Sequence, residues 1–215
     1  MTQNHTPRRG RPAVPEAELR AKIQQAAFQL LQEQGYAAAS IDEIARVAGV
    51  AKKTIYRFHS NKDALIEHII LDWSSTNVLP ELASPQNADE VMATLEQFFL
   101  RLAERVLSTR QVALYKFLQS GIENKEKFLR IWRDNGIEIA AKRLNEWFEQ
   151  ARQRQLINPL WPVDAAQYLQ AMIIAPSLRD ISLGLHPPVP EWDIRPRIEQ
   201  VLRFVTPMLL VPEAR

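Results

Sequence analysis

The sequence has no cysteine in its 215 residues, which excludes disulfides, thiolate nucleophiles and the common structural zinc sites. Its four histidines, at positions 5, 59, 68 and 186, are too scattered for a metal-ligand spacing such as HxxxH. Six glycines with no Gly-rich loop leave nothing to cradle a nucleotide phosphate. No run approaches the ~20 apolar residues of a membrane span. The longest uncharged stretch, Ala165 to Leu178, has 14 residues and includes two Gln and a Pro. The basic start is followed by no apolar core and cleavage site, so no signal peptide is expected. Strand signals are missing too: there is no alternating run of β-branched residues and no Asn-Gly hairpin. What remains is an all-α, cytoplasmic chain with no expected cofactor, metal or membrane partner. An enzyme would need a nucleophile–base pair, a metal cluster or a cofactor loop, and none is present.

Charge is unevenly placed. Residues 1–62 carry ten Lys/Arg against five Asp/Glu, a net of +5, while residues 63–215 carry 17 against 20. A basic head on a near-neutral body is the electrostatic footprint of nucleic-acid binding. Residues 1–14 are polar, Pro-bearing and aperiodic, which predicts a flexible basic arm. Apolar positions Leu19, Ile23, Ala26, Ala27, Leu30 and Leu31 then recur at helical spacing, and Gly35 supplies a stop. Short helices follow at about 41–47 and 52–58, and a longer one at 62–79 ends at Pro80. Further helical stretches are predicted at 89–107, 110–121, 124–155, 164–184 and 194–210. The residues Leu129, Trp132, Ile139, Leu144, Trp147 and Phe148 spread over several faces of the 124–155 stretch, so it is expected to be central.

The stretch Ser40–Lys62, SIDEIARVAGVAKKTIYRFHSNK, carries the function. Ser40 and Glu43 have capping-box spacing, with the hydroxyl accepting from the Glu43 amide and the carboxylate reaching back. Ala45 is small enough to admit a second helix, Gly49 tolerates a left-handed turn, and Ile55 can lock the pair. Ile44, Val50 and either Tyr56 or Phe58 complete a small apolar plug. The second helix is polar and basic for its length, as a major-groove reading helix must be. A merely solvated helix would need neither the cap nor the turn glycine.

Residues 23–65, with I-x-x-A-A-x-x-L-L-x-E-x-G-Y, S-I-D-E-I-A-R-x-A-G-V-A-K-x-T-I-Y-R-F and N-K-x-A-L, resemble the DNA-binding domain of the TetR/AcrR family of transcriptional regulators. Beyond residue 66 only helix number and order agree with that family's effector-binding and dimerisation domain. The resemblance implies an arm at 1–14, a helix-turn-helix domain at 15–65 and a helical effector domain at 66–215. It further implies a homodimeric repressor that leaves a palindromic operator when a small molecule binds. On matching positions it places Ser40, Tyr56 and Lys62 at phosphates and Lys52, Lys53 and Thr54 at base edges. Arg57 belongs to the same basic helix. His59 stands where the family usually has an apolar residue and is expected to be a packed, neutral imidazole. The arm residues Arg8, Arg9 and Arg11 form an R-G-R-P segment that either follows an A·T minor groove or adds nonspecific affinity.

In the body, most aromatic residues read as core. The candidates for an effector pocket are Trp73, Phe98, Arg105, Tyr115, Trp132, Asn135, Met172 and Arg179, with Glu123 as a further inward polar group. The last two helices are the expected dimer interface through Leu169, Ile173, Ile198, Leu202, Val205 and Leu209, forming a four-helix bundle across a two-fold axis. Pro176 is expected to kink the first of them. The competing function is an architectural DNA-binding factor with no inducer pocket, and the two differ in whether the body encloses a cavity.

Overall fold

The computed structural model describes residues 15–74 and 81–210. The arm, with Arg8, Arg9 and Arg11, and the expected continuation of the fourth helix to residue 79 lie outside the described residues. Among the described residues there are helices and no strands. The chain forms two compact units, Met1–Ile66 and Glu67–Arg215.

In the first unit, α1 (Glu16–Ala38) packs on α2 (Ile41–Ala48), which packs on α3 (Lys52–Phe58). Gly35 interrupts α1 with φ of 79°, a left-handed conformation that explains the stop expected there. Ile23, Ala26, Ala27, Leu30 and Leu31 of α1 are buried, as are Ile44 and Ala45 of α2 and Ile55 of α3. Phe58 is half-buried and Tyr56 exposed, so Phe58 is the aromatic residue of the plug. α4 (Lys62–Ser74) carries the chain into the second unit.

The second unit holds α5 (Ala88–Val106), α6 (Thr109–Gln119), α7 (Lys125–Trp132), α8 (Glu138–Gln153), α9 (Ala165–Ser182) and α10 (Arg195–Leu209). α5, α8 and α10 each pack against α9, and α10 against α5. Phe98, Phe99, Leu144, Trp147, Phe148, Leu169, Ile173, Ile198 and Leu202 form its core. The stretch expected as one helix over 124–155 is broken by a π-helical turn at Arg133–Ile137. Asn135 donates from Nδ2 to the Ile131 carbonyl at 2.8 Å inside this region. Centrality belongs to α8 alone, since α7 buries only Phe128.

The six residues assigned from sequence to the dimer interface need correction. Leu169, Ile173, Ile198, Leu202, Val205 and Leu209 are all buried within the single chain. Periodicity showed that these faces are covered, but the cover is supplied by α5 and α8 of the same molecule. The apolar side chains left exposed nearby are Leu160, Tyr168, Phe204 and Met208.

α9 continues through Pro176. Proline has no N–H, so the Met172 carbonyl, four residues earlier, loses its helical donor. Arg197 of α10 supplies the replacement, donating from Nε at 3.0 Å and from Nη2 at 2.7 Å to that same oxygen. Arg197→Met should therefore destabilise the body by about 1–3 kcal/mol, the cost of a stranded acceptor in a partly buried site. Urea denaturation would read the loss. Adding Pro176→Ala should recover part of it by restoring the backbone donor; equal destabilisation in both backgrounds would refute the coupling.

Candidate nucleic-acid interface and body cavity

The turn between α2 and α3 follows from local sequence. Ser40 caps α2, its hydroxyl accepting from the Glu43 amide at 3.2 Å. The reciprocal half of the capping box is absent: the Glu43 carboxylate instead accepts from Arg46 Nε at 2.9 Å and Nη2 at 2.5 Å. A guanidinium one helical turn away is a stronger partner than a backbone amide. This contact holds the Glu43 carboxyl below its ordinary range. At the other end Gly49 adopts φ 64° and ψ 35°, and the Val50 amide donates to the Ala45 carbonyl at 3.0 Å. That is a Schellman closure, which needs a residue tolerant of the left-handed region.

The turn presents α3 with Ile55 buried inward and Lys52, Lys53 and Tyr56 exposed. Lys52 forms an exposed ion pair with Asp42 of α2. Such a pair contributes at most about 1 kcal/mol, so an arriving phosphate can displace it. Thr54 is half-buried. Arg57 points toward α1: its guanidinium lies 3.7 Å from the Glu16 carboxylate and 4.5 Å above the Phe58 ring, which Arg20 also approaches at 4.5 Å. Lys62 donates to the Tyr36 carbonyl at 2.9 Å and its Nζ lies 3.8 Å from the centre of the Tyr36 ring, while the Tyr36 hydroxyl bonds Asp63. His59 is 3% exposed and meets Phe58 edge to face at 6.4 Å between ring centres.

The body contains a cavity of about 280 Å³ between α4, α5, α6, the π-helical turn and α9. Trp73, Tyr115 and Trp132 provide aromatic walls, with Tyr115 and Trp132 at 6.1 Å between ring centres. Leu102, Val106, Ala140, Ile174 and Leu178 complete an apolar lining. Its polar groups include Ser74, Arg105, Gln111, Gln167 and Gln170. Arg105 and Gln111 both donate to the Trp73 carbonyl in the last turn of α4, Arg105 at 3.5 Å. Arg110 stacks over the Trp73 ring at 3.7 Å. Burial pulls its guanidinium below the ordinary value, with Asp72 opposing the shift and Arg105 adding to it.

A helix-turn-helix head presenting an exposed basic helix can be compared with known proteins directly. The profile described as "Bacterial regulatory proteins, tetR family" matches residues 23–69. The chain is 26% identical to the flavonoid-responsive regulator FrrA, with a TM-score of 0.72 over 92% of this chain and 100% of that one. Residues 23–69 are a DNA-binding domain of the tetR family. A TetR regulator from Agrobacterium tumefaciens has the same fold at 18% identity, with a TM-score of 0.68 over 92% of this chain and 96% of that one. An uncharacterised HTH-type regulator, YdeS of Bacillus subtilis, is 30% identical over 126 residues. That match spans 59% of this chain and 60% of the relative's length.

The residues singled out from sequence fall into several groups. In the head, Lys52, Lys53 and Tyr56 share the exposed side of α3, with Ser40 at the start of α2. Arg57 and Lys62 are instead held against α1, by Glu16 and Tyr36 respectively. In the body, Trp73, Arg105, Tyr115 and Trp132 line the cavity. Phe98, Asn135, Met172 and Arg179 are not among its lining residues. Phe98 is core, Asn135 is spent on the Ile131 carbonyl, Met172 belongs to another surface groove, and Arg179 is exposed and paired with Asp180 at 2.8 Å. Glu123 is exposed on the loop before α7 and also lies outside the lining. Sequence reading missed Gln111, Gln167 and Gln170. The signal was present on α9, where Gln167, Gln170, Ile174 and Leu178 recur at helical spacing within a helix assigned from sequence to the dimer interface.

Among the described residues, no cluster of acidic or histidine side chains could hold a metal ion, and no helix is long and apolar enough to cross a membrane.

Proposed function

We propose that this regulator is a cytoplasmic, homodimeric repressor that binds a palindromic operator and is released by a small-molecule effector. The carrying observation is the exposed basic face of α3, presented beyond a closed turn with its single buried residue facing inward. Major-groove reading requires this arrangement, with Lys53 and Lys52 at base edges and Tyr56 at phosphate. The cavity in the body supports effector binding over the architectural alternative, as does the likeness to the flavonoid-responsive regulator FrrA. The exposed apolar face around Phe204 and Met208 supports dimerisation. α4 offers a route of control, since two cavity residues bond the Trp73 carbonyl at its end and its first residue, Lys62, belongs to the head.

The test is selection of bound genomic fragments by the purified protein at low and physiological salt. A few salt-resistant palindromic sites are expected; broad, salt-sensitive binding with no shared motif would refute the operator reading. On a selected site, Lys53→Ala should cost about 1–3 kcal/mol and relax the preference at one position of each half-site. Tyr56→Phe should instead weaken all sequences alike. Uniform weakening by Lys53→Ala would reassign that residue to the backbone.

A further inference from the structure

The polar groups that line the body cavity are unequal in what they offer a ligand. Ser74 donates to the Ile70 carbonyl, Arg105 and Gln111 to the Trp73 carbonyl, and Gln167 to the Asp164 carboxylate at 2.6 Å, so each already has a partner within the protein. Gln170 differs: its Nε2 is buried in the wall and donates to no protein group. A buried amide N–H without an acceptor costs free energy, and an acceptor on an occupant recovers it. The rings divide in the same way. Arg110 already occupies one face of the Trp73 ring, 3.7 Å from its centre, whereas Tyr115 and Trp132 line the cavity as a pair, 6.1 Å between centres and tilted by 42°. An aromatic occupant gains edge-to-face or offset contacts against such rings that an alkyl chain does not. Room comes from small side chains: Ala171 and Ala175 stand one turn apart on α9, with Gly136 in the π-helical turn and Ala140 beyond it. About 280 Å³ corresponds to roughly nine water volumes, enough for a fused ring system. Gln167, Ala171 and Ala175 are exposed while Leu102 and Ala140 are buried, which gives the cavity an opening along α9.

We infer that the body cavity binds an aryl carbonyl compound, its rings against Tyr115 and Trp132 and its carbonyl oxygen accepting from the Gln170 amide, which makes Gln170 the residue that selects the ligand's polar atom. The inference rests on the effector-binding reading above and names the ligand class of that site. Exchanging the carbonyl oxygen for a methylene group keeps the ligand's shape but leaves the Gln170 amide unsatisfied, so the site discriminates between the two.

The probe is 2-acetonaphthone, titrated into the full-length protein by calorimetry and tryptophan fluorescence. Beside it run 2-isopropenylnaphthalene, which replaces the carbonyl oxygen with a methylene, and 2-dodecanone, which keeps the ketone but has no ring. We expect 2-acetonaphthone to bind once per chain and to exceed each of the other two in affinity by about tenfold or more. Gln170→Leu should reduce its advantage over 2-isopropenylnaphthalene to less than about twofold. The hydrocarbon should bind that variant as it binds the wild type, which also reports that the variant is folded. Failure of 2-acetonaphthone to bind the wild-type protein, or equal or tighter binding of the hydrocarbon or of 2-dodecanone, would overturn the inference with no variant needed. So would a carbonyl preference that survives Gln170→Leu. Operator release is read separately. Acetonaphthone binding that leaves the DNA complex intact would overturn the effector reading and uphold the ligand class; release by another class, with no acetonaphthone binding, would do the reverse.

Discussion

Ile55→Ala is expected to abolish specific DNA binding while leaving the body folded. α3 has seven residues, too few to be stable as an isolated helix, and Ile55 is its one buried side chain. Removing three carbons from a site with no exposure costs about 2–5 kcal/mol, a large share of the stability of a small domain. The cost falls on the packing that holds the reading helix against α2. Lys52, Lys53 and Tyr56 then lose their common orientation, and operator affinity should drop by about 100-fold or more. Electrophoretic titration on a selected operator would show it. Thermal unfolding of the body should be unchanged, because α3 lies wholly in the first unit. Operator affinity within about threefold of wild type would mean that α3 is anchored by something other than Ile55.

Phe204→Glu combined with Met208→Glu is expected to yield monomers that bind an operator about 100-fold more weakly, because the second half-site no longer gains from being tethered to the first. Phe204 and Met208 stand one turn apart on α10, 67% and 49% exposed, beside Tyr168 at 55% and Leu160 at 86%. They share a groove with Met172 and Pro207. Four large apolar groups around one groove form the kind of patch that marks an interface. Since both side chains are exposed in the single chain, their replacement should leave thermal stability within about 1 kcal/mol. Sedimentation would decide it: a persistent dimer at micromolar concentration would move the interface elsewhere. The choice of residues matters. Leu202→Glu, which the helical stripe alone would recommend, places a carboxylate where the side chain is 5% exposed among Phe98, Leu169 and their neighbours. That variant would unfold the body and report nothing on dimerisation.

The contrast between Ile55 and Leu202 shows how far the sequence reaches. In the head, each functional feature is set within a few residues. The Ser40 cap, the left-handed Gly49 and the alternation of Ile55 with exposed basic residues are local, so backbone sterics and helix periodicity make them legible before any tertiary contact is known. Partners three or four residues apart could still compete, and Glu43 chose Arg46 over the Ser40 amide. Longer-range choices in the head were not legible: Arg57 and Lys62 looked like free cations but turn to Glu16 and Tyr36, tens of residues away in the chain.

In the body, the sequence by itself determined that helices form, roughly where they lie except for the break at Arg133–Ile137, and that two of them carry apolar faces that must be covered. Periodicity records burial but not by what, so only the tertiary structure decided that α5 and α8 cover α9 and α10 and that Phe204 and Met208 remain outside. The cavity belongs to the same class of decision. Trp73, Arg105, Tyr115, Trp132 and Gln170 come from five separate segments, and a void exists only where packed helices fail to meet. The head's chemistry is written in local spacing, and the body's is written in the gaps between elements, which spacing along one helix does not encode.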